Sequence, residues 1–130
     1  MARITVVNDN PEFLDLVREI LEDDRHDTTT LDGDRQDVLH AIRASDPELL
    51  MIDLRMKAGV LHGWDVAQAV RRDASLAGVP ILVCSGDVQA LREIEDELSQ
   101  MHQVRSVVKP FGIDELTDAI DGLLAEHATG

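Results

Sequence analysis

Short apolar runs alternate along this chain with longer stretches in which apolar residues recur every three or four positions. The first run, Ile4 to Val7, ends in Asn8-Asp9 and predicts a strand. Asn10-Pro11 then reads as an N-cap followed by a proline in the first helical turn, where its missing N–H is no loss. That helix reaches about Leu21 and sets Phe13, Leu14, Val17, Ile20 and Leu21 on one stripe. His26 to Leu31, rich in threonine, predicts a strand too polar for a sheet centre and therefore an edge. After Asp32-Gly33-Asp34 a helix is expected from about Arg35 to Ala44, burying Val38, Leu39 and Ile42. Leu49-Leu50-Met51-Ile52 is a continuous apolar run ending at Asp53, which suits a parallel strand covered on both faces. A loop from Leu54 to His62, a helix from Trp64 to Arg72 and a strand Ile81 to Cys84 follow. Val88, Leu91, Ile94, Leu98 and Met101 predict one helix to about His102, then a strand Val104 to Val108 and a last helix on Ile113, Leu116, Ile120, Leu123 and Leu124. Strand and helix thus alternate five times, predicting an α/β fold with a five-stranded parallel sheet, doubly wound with five helices.

Composition narrows the function. The chain of 130 residues has room for one ordinary domain, expected over residues 1–126 with a short frayed tail at 127–130. Its 12 Lys and Arg against 26 Asp and Glu give a net charge of −14, which repels phosphate backbones and anionic lipids. Direct nucleic-acid or membrane binding by this domain is therefore not expected. No apolar stretch approaches the ~20 residues of a membrane helix and no signal peptide is visible, so a cytoplasmic location is expected. The single cysteine, Cys84, ends an apolar strand and reads as a small buried hydrophobe. The five histidines show no metal-ligand spacing and are expected on the surface, while Trp64 either packs or rests on the surface. The charged run Arg92 to Glu97 reads as the solvated face of its helix.

In open doubly wound sheets the chemistry sits at the carboxyl ends of the strands. Here those ends carry Asn8-Asp9, Asp53, Ser85 and Lys109. With strand order 2-1-3-4-5, Asp9 and Asp53 lie side by side, and Ser85 and Lys109 come next along the same edge. Two carboxylates can hold a hard cation such as Mg²⁺ through oxygen. A lysine can neutralise a phosphoryl group, a hydroxyl can donate to it, and a carboxylate can attack as nucleophile.

At these positions the chain resembles a response-regulator receiver domain of flavodoxin-like fold, along almost its whole length. The resemblance rests on Val6-Val7-Asn8-Asp9-Asn10-Pro11, Leu50-Met51-Ile52-Asp53-Leu54-Arg55-Met56, Val79-Pro80-Ile81-Leu82-Val83-Cys84-Ser85-Gly86 and Val108-Lys109-Pro110-Phe111-Gly112. It implies that Asp53 accepts a phosphoryl group from a histidine kinase or phosphotransfer protein. It implies that Asp9, Asp53 and the backbone carbonyl of Arg55 hold Mg²⁺, that Ser85 and Lys109 meet the phosphoryl group, and that Lys109-Pro110 is cis. A stand-alone receiver signalling to a downstream protein is expected, not an enzyme in the ordinary sense.

Three departures qualify this picture. Asn8 stands where such domains carry a first acid, leaving the site one charge more positive. Weak Mg²⁺ binding is expected, with the Asn8 amide oxygen ordering a metal-bound water. Lys57 follows Met56 where proline is common, and it or Arg55 is a candidate to reach the phosphoryl site against the plainer reading of a solvated side chain. Ser106 occupies the position of the usual aromatic switch residue, and the chain has no tyrosine. The alternative is a degenerate receiver-like scaffold that binds a partner without phosphorylation. A flavin carrier is disfavoured by the acids at the site and by 2% aromatic content, and a dinucleotide fold by the absence of Gly-x-Gly-x-x-Gly after the first strand.

Overall fold

The two most apolar runs of the sequence lie side by side inside a parallel sheet in the computed structural model, which describes residues 2–129. They are β3 (Leu49–Asp53) and β4 (Ile81–Ser85), both buried along their whole length. β1 (Arg3–Asn8) pairs with β3 on its other side, and β2 (Asp27–Asp32) and β5 (Val104–Val108) form the edges, giving the order β2-β1-β3-β4-β5. Both edge strands are the polar ones, since only one face of each meets the core.

Alternation along the strands splits the core in two. Val7, Leu50, Ile52, Ile81 and Val83 face α2 (Val38–Ser45), α3 (His62–Arg72) and α4 (Val88–Glu93). Ile4, Val6, Leu49, Met51, Leu82 and Cys84 face α1 (Pro11–Asp23) and α6 (Ile113–Thr129). Each strand residue therefore belongs to one layer and its neighbour to the other, as a period of two requires. Asn10 caps α1 as its sequence predicts, its Oδ1 accepting from Glu12 N and Phe13 N.

Four local expectations are corrected. The helix expected from Val88 to His102 is two helices, α4 and α5 (Glu95–Gln100), joined at Ile94 with φ −106° and ψ 3°. Ile94 stays buried there, and the acids Glu95, Asp96 and Glu97 occupy the first turn of the new helix, where the dipole favours negative charge. Glu97 is not merely solvated: its Oε2 accepts from Trp64 Nε1 at 3.0 Å, and Trp64 itself is buried against α3 neighbours. The frayed tail expected after Glu126 is helical as far as Thr129, and Gly130 lies outside the described residues.

His26 is the fourth correction, because it is buried. Its Nδ1 accepts from Ala2 N at 3.1 Å, which places the proton of a neutral ring on Nε2. That N–H faces Asp24, 3.4 Å away, with Asp121 alongside, so the ring presents a donor there and not a lone pair for a metal.

Gly63 sets how closely α3 approaches the end of β3. Its N–H donates to Leu54 O at 2.9 Å, and a Cβ at this position would lie 1.8 Å from the Asp53 carbonyl oxygen. Backbone, not a flexible side chain, would have to move. Alanine gains about 1 kcal/mol in helix propensity but meets an overpacking penalty of about 3 kcal/mol, so Gly63→Ala is expected to lose about 2 kcal/mol net. An unchanged urea midpoint would show that the chain at Asp53 yields freely.

Candidate functional site

Register brings the strand tips together. Val7 pairs with Ile52, so Asn8 and Asp9 come up beside Asp53. Asp53 pairs with Cys84, which puts Ser85 one step further on, and Ser85 pairs with Val108, which puts Lys109 just beyond β5. Asn8, Asp9, Asp53, Arg55, Ser85 and Lys109 all line one open cleft of about 1060 Å³. The residues expected at the phosphoryl and metal site thus line one cleft, while Ser106 lies apart from it.

Asp53 is the centre of it. The residue is only 7% exposed, and its Oδ2 accepts from Lys109 Nζ at 2.6 Å and from Asn8 Nδ2 at 2.8 Å. A buried carboxylate with two donors, one of them charged, has the partners that burial demands. Among the described residues no donor engages Oδ1. Asn8 therefore touches Asp53 directly, a contact its sequence position does not announce. Its own Oδ1 accepts from Asn10 N at 2.8 Å and keeps one lone pair for a water.

The loops around Asp53 are tied to one another. Asp9 Oδ2 accepts from Lys57 N at 2.9 Å, and Asp34 accepts from Lys57 N and Ala58 N at 3.2 and 2.9 Å. Lys57 thus meets the site's acids through its backbone N–H. The Arg55 side chain is engaged elsewhere, pairing with Asp87 at 3.0 Å. Asp87 also caps α4 by accepting from Ala90 N, and its own N–H donates to Ser85 Oγ at 2.9 Å. The Ala90 N–H, and after it the Arg55 guanidinium, hold the Asp87 carboxyl below the usual range. The Ser85 oxygen is fixed by the Asp87 amide, so its hydroxyl hydrogen is left to donate into the cleft.

Asp87 and Asp34 were not visible as site residues in the sequence. Asp87 has one local signal, an acid at the start of a helix; Asp34 has none, because its partners lie on another loop. The peptide between Lys109 and Pro110 is cis. Hard oxygen donors are available at Asp9, at Oδ1 of Asp53 and at the Arg55 carbonyl, a set that fits Mg²⁺ and not a soft metal.

Sheet order and this cleft place the chain among the flavodoxin-like doubly wound α/β proteins. Within them it belongs to the response regulator receiver domain family, whose model matches residues 4–121. The DNA-binding dual master transcriptional regulator RpaA of Synechocystis sp. is 31% identical over 127 residues, covering 95% of this chain and 49% of RpaA. The chain therefore spans about half the length of that relative. A sensor protein from Polaromonas sp. shares the fold with a TM-score of 0.80 at 23% identity, covering 96% of this chain and 97% of that one. The response regulator protein TrrA from Thermotoga maritima, solved in complex with Mg²⁺ and BeF, matches with a TM-score of 0.75 at 25% identity over 95% and 99% of the two chains. No helix among the described residues is long and apolar enough to cross a membrane.

Cys84 lies behind the site, fully buried. Burial, and then the charge of Asp53, push its thiol up from 9.0 to about 12. The folded thiol holds its proton where the unfolded one releases it. The stability this contributes is complete below pH 9.0 and is lost as pH rises toward about 12. A urea midpoint that falls above pH 9.0 in wild type, with a shallower fall in Cys84→Ala, is the expected result.

Proposed function

We propose that Asp53 accepts a phosphoryl group from a phosphohistidine on a histidine kinase or phosphotransfer protein. A carboxylate oxygen of Asp53 attacks phosphorus, the P–N bond breaks, and the imidazole leaves with the electron pair and takes up a proton. The product is an acyl phosphate. Lys109 Nζ neutralises charge on the transferred group, and the Ser85 hydroxyl donates to one of its oxygens. The single observation that carries this reading is the geometry of Asp53: one oxygen held by two donors, the other free toward an open cleft. The Mg²⁺ and BeF complex of TrrA supports the same reading.

Asp9, Asp53 and the Arg55 carbonyl are the residues that would hold Mg²⁺, with Asn8 contributing through a water. When bound, the cation supplies charge neutralisation between the attacking carboxylate and the phosphoryl oxygens. With an amide at position 8 the pocket lacks one negative charge, worth up to ~4 kcal/mol gross at ~4 Å and an effective dielectric of ~20. Output by contact with another protein, and not by this domain touching DNA, fits the net charge of −14. The match covers 49% of RpaA, so the DNA binding in that protein's name is not assigned to this chain.

Incubation with acetyl phosphate and Mg²⁺ is expected to add the mass of one phosphoryl group to wild type and none to Asp53→Asn. No gain in wild type would leave the scaffold reading in its place. Asn8→Asp is expected to bind Mg²⁺ about tenfold more tightly, a fraction of the gross Coulombic figure once desolvation is counted. Equal affinities by titration calorimetry would refute the charge argument.

A further inference from the structure

Lys109 is held from two sides. Its Nζ donates to Asp53 Oδ2 at 2.6 Å and stands 3.9 Å from the centroid of the Phe13 ring. Phe13 is in the first turn of α1, three residues after the Asn10 cap, and lines the same cleft as Asp53. Phe111 meets it edge to face, with ring centroids 6.3 Å apart and planes at 75°. The loop that carries the ammonium therefore also carries the ring that braces its aromatic wall. A ring face attracts an ammonium through its quadrupole, and the attraction grows as water is displaced. The Lys109 side chain is 25% exposed, so much of its water is already gone.

The chemistry of position 8 shows what this wall replaces. Asn8 and Lys109 donate to the same oxygen of Asp53, so the two side chains stand within two hydrogen-bond lengths of each other. A carboxylate at position 8 would attract the ammonium. The amide instead shares the one carboxylate oxygen that Lys109 uses. An aromatic face holds a cation without carrying negative charge, so it does not repel an incoming phosphoryl dianion.

We infer that Phe13 is a positioning residue for phosphoryl acceptance: its ring keeps the Lys109 ammonium at Asp53 Oδ2, doing what a negative charge at position 8 would otherwise do. This inference rests on the reading of Asp53 as phosphoacceptor. The ring acts through Lys109, whose ammonium lies over its face.

The test pairs a spectroscopic measurement with a rate. In unphosphorylated wild type, the Lys109 Hε and Hζ resonances are expected to be displaced upfield by the ring current of Phe13. The displacement should vanish in Phe13→Leu, which keeps an apolar side chain, and persist in Phe13→Trp. With acetyl phosphate as donor, Phe13→Leu is expected to slow phosphorylation about fivefold, and Phe13→Trp to recover most of that loss. In an Asn8→Asp background, the loss caused by Phe13→Leu should shrink below twofold.

An undisplaced Lys109 resonance in wild type overturns the inference, and that measurement needs no variant to fold. Equal rates for Phe13→Leu and Phe13→Trp overturn it as well, as does a Phe13→Leu deficit that is undiminished beside Asn8→Asp. A wild-type protein that gains no phosphoryl group strikes the phosphoacceptor reading itself. One that gains it at full speed with leucine at position 13 strikes only the role of the ring.

Discussion

One oxygen of Asp53 receives hydrogen bonds from two strands at once, from Asn8 at the end of β1 and from Lys109 just past β5. A carboxylate buried this far needs compensating partners, and it finds both on a single atom. The tips of β1, β3 and β5 are thereby pinned around β3, and the second oxygen stays unencumbered. The open side also explains why the surrounding loops are cross-tied by other acids. Asp34, Asp9 and Asp87 fix the loops through backbone N–H groups, so Asp53 is not drawn into that task.

Much of this was legible in the sequence because it follows from periodicity and chain order. Buried strands such as Leu49 to Asp53 announce themselves by continuous apolar character, and a threonine-rich strand announces an edge. Acids, a serine and a lysine at successive strand ends imply a shared site once the sheet is parallel. What escaped depends on contacts between distant segments. The break at Ile94 carries no glycine or proline to mark it, and arises where a buried isoleucine and a run of acids favour a fresh start. The burial of His26 depends on the amide of Ala2, twenty-four positions away in sequence. Phe13 looked like one more residue of a core stripe, and its ring faces a lysine from the far end of the chain.

The face between the split helices and β5 departs from the family resemblance in a way the geometry makes concrete. Ser106 is exposed, and with Leu91, Leu98 and Val108 it borders a groove of about 360 Å³ between the split helices and β5. An aromatic side chain at that position would have volume to occupy such a groove; a serine leaves it open. The cleft and this face are joined by two hydrogen bonds, from Asp87 N to the Ser85 hydroxyl oxygen and from Ala90 N in the first turn of α4 to the Asp87 carboxylate.

Trp64 offers a last consequence. It is the sole indole in a chain without tyrosine, sunk in the core between α3 and the strands, with its Nε1–H given to Glu97 on α5. Ultraviolet emission from this protein therefore originates almost entirely at one ring, and that ring is tethered to the short helix after the break. The molecule contains its own optical gauge of where α5 sits.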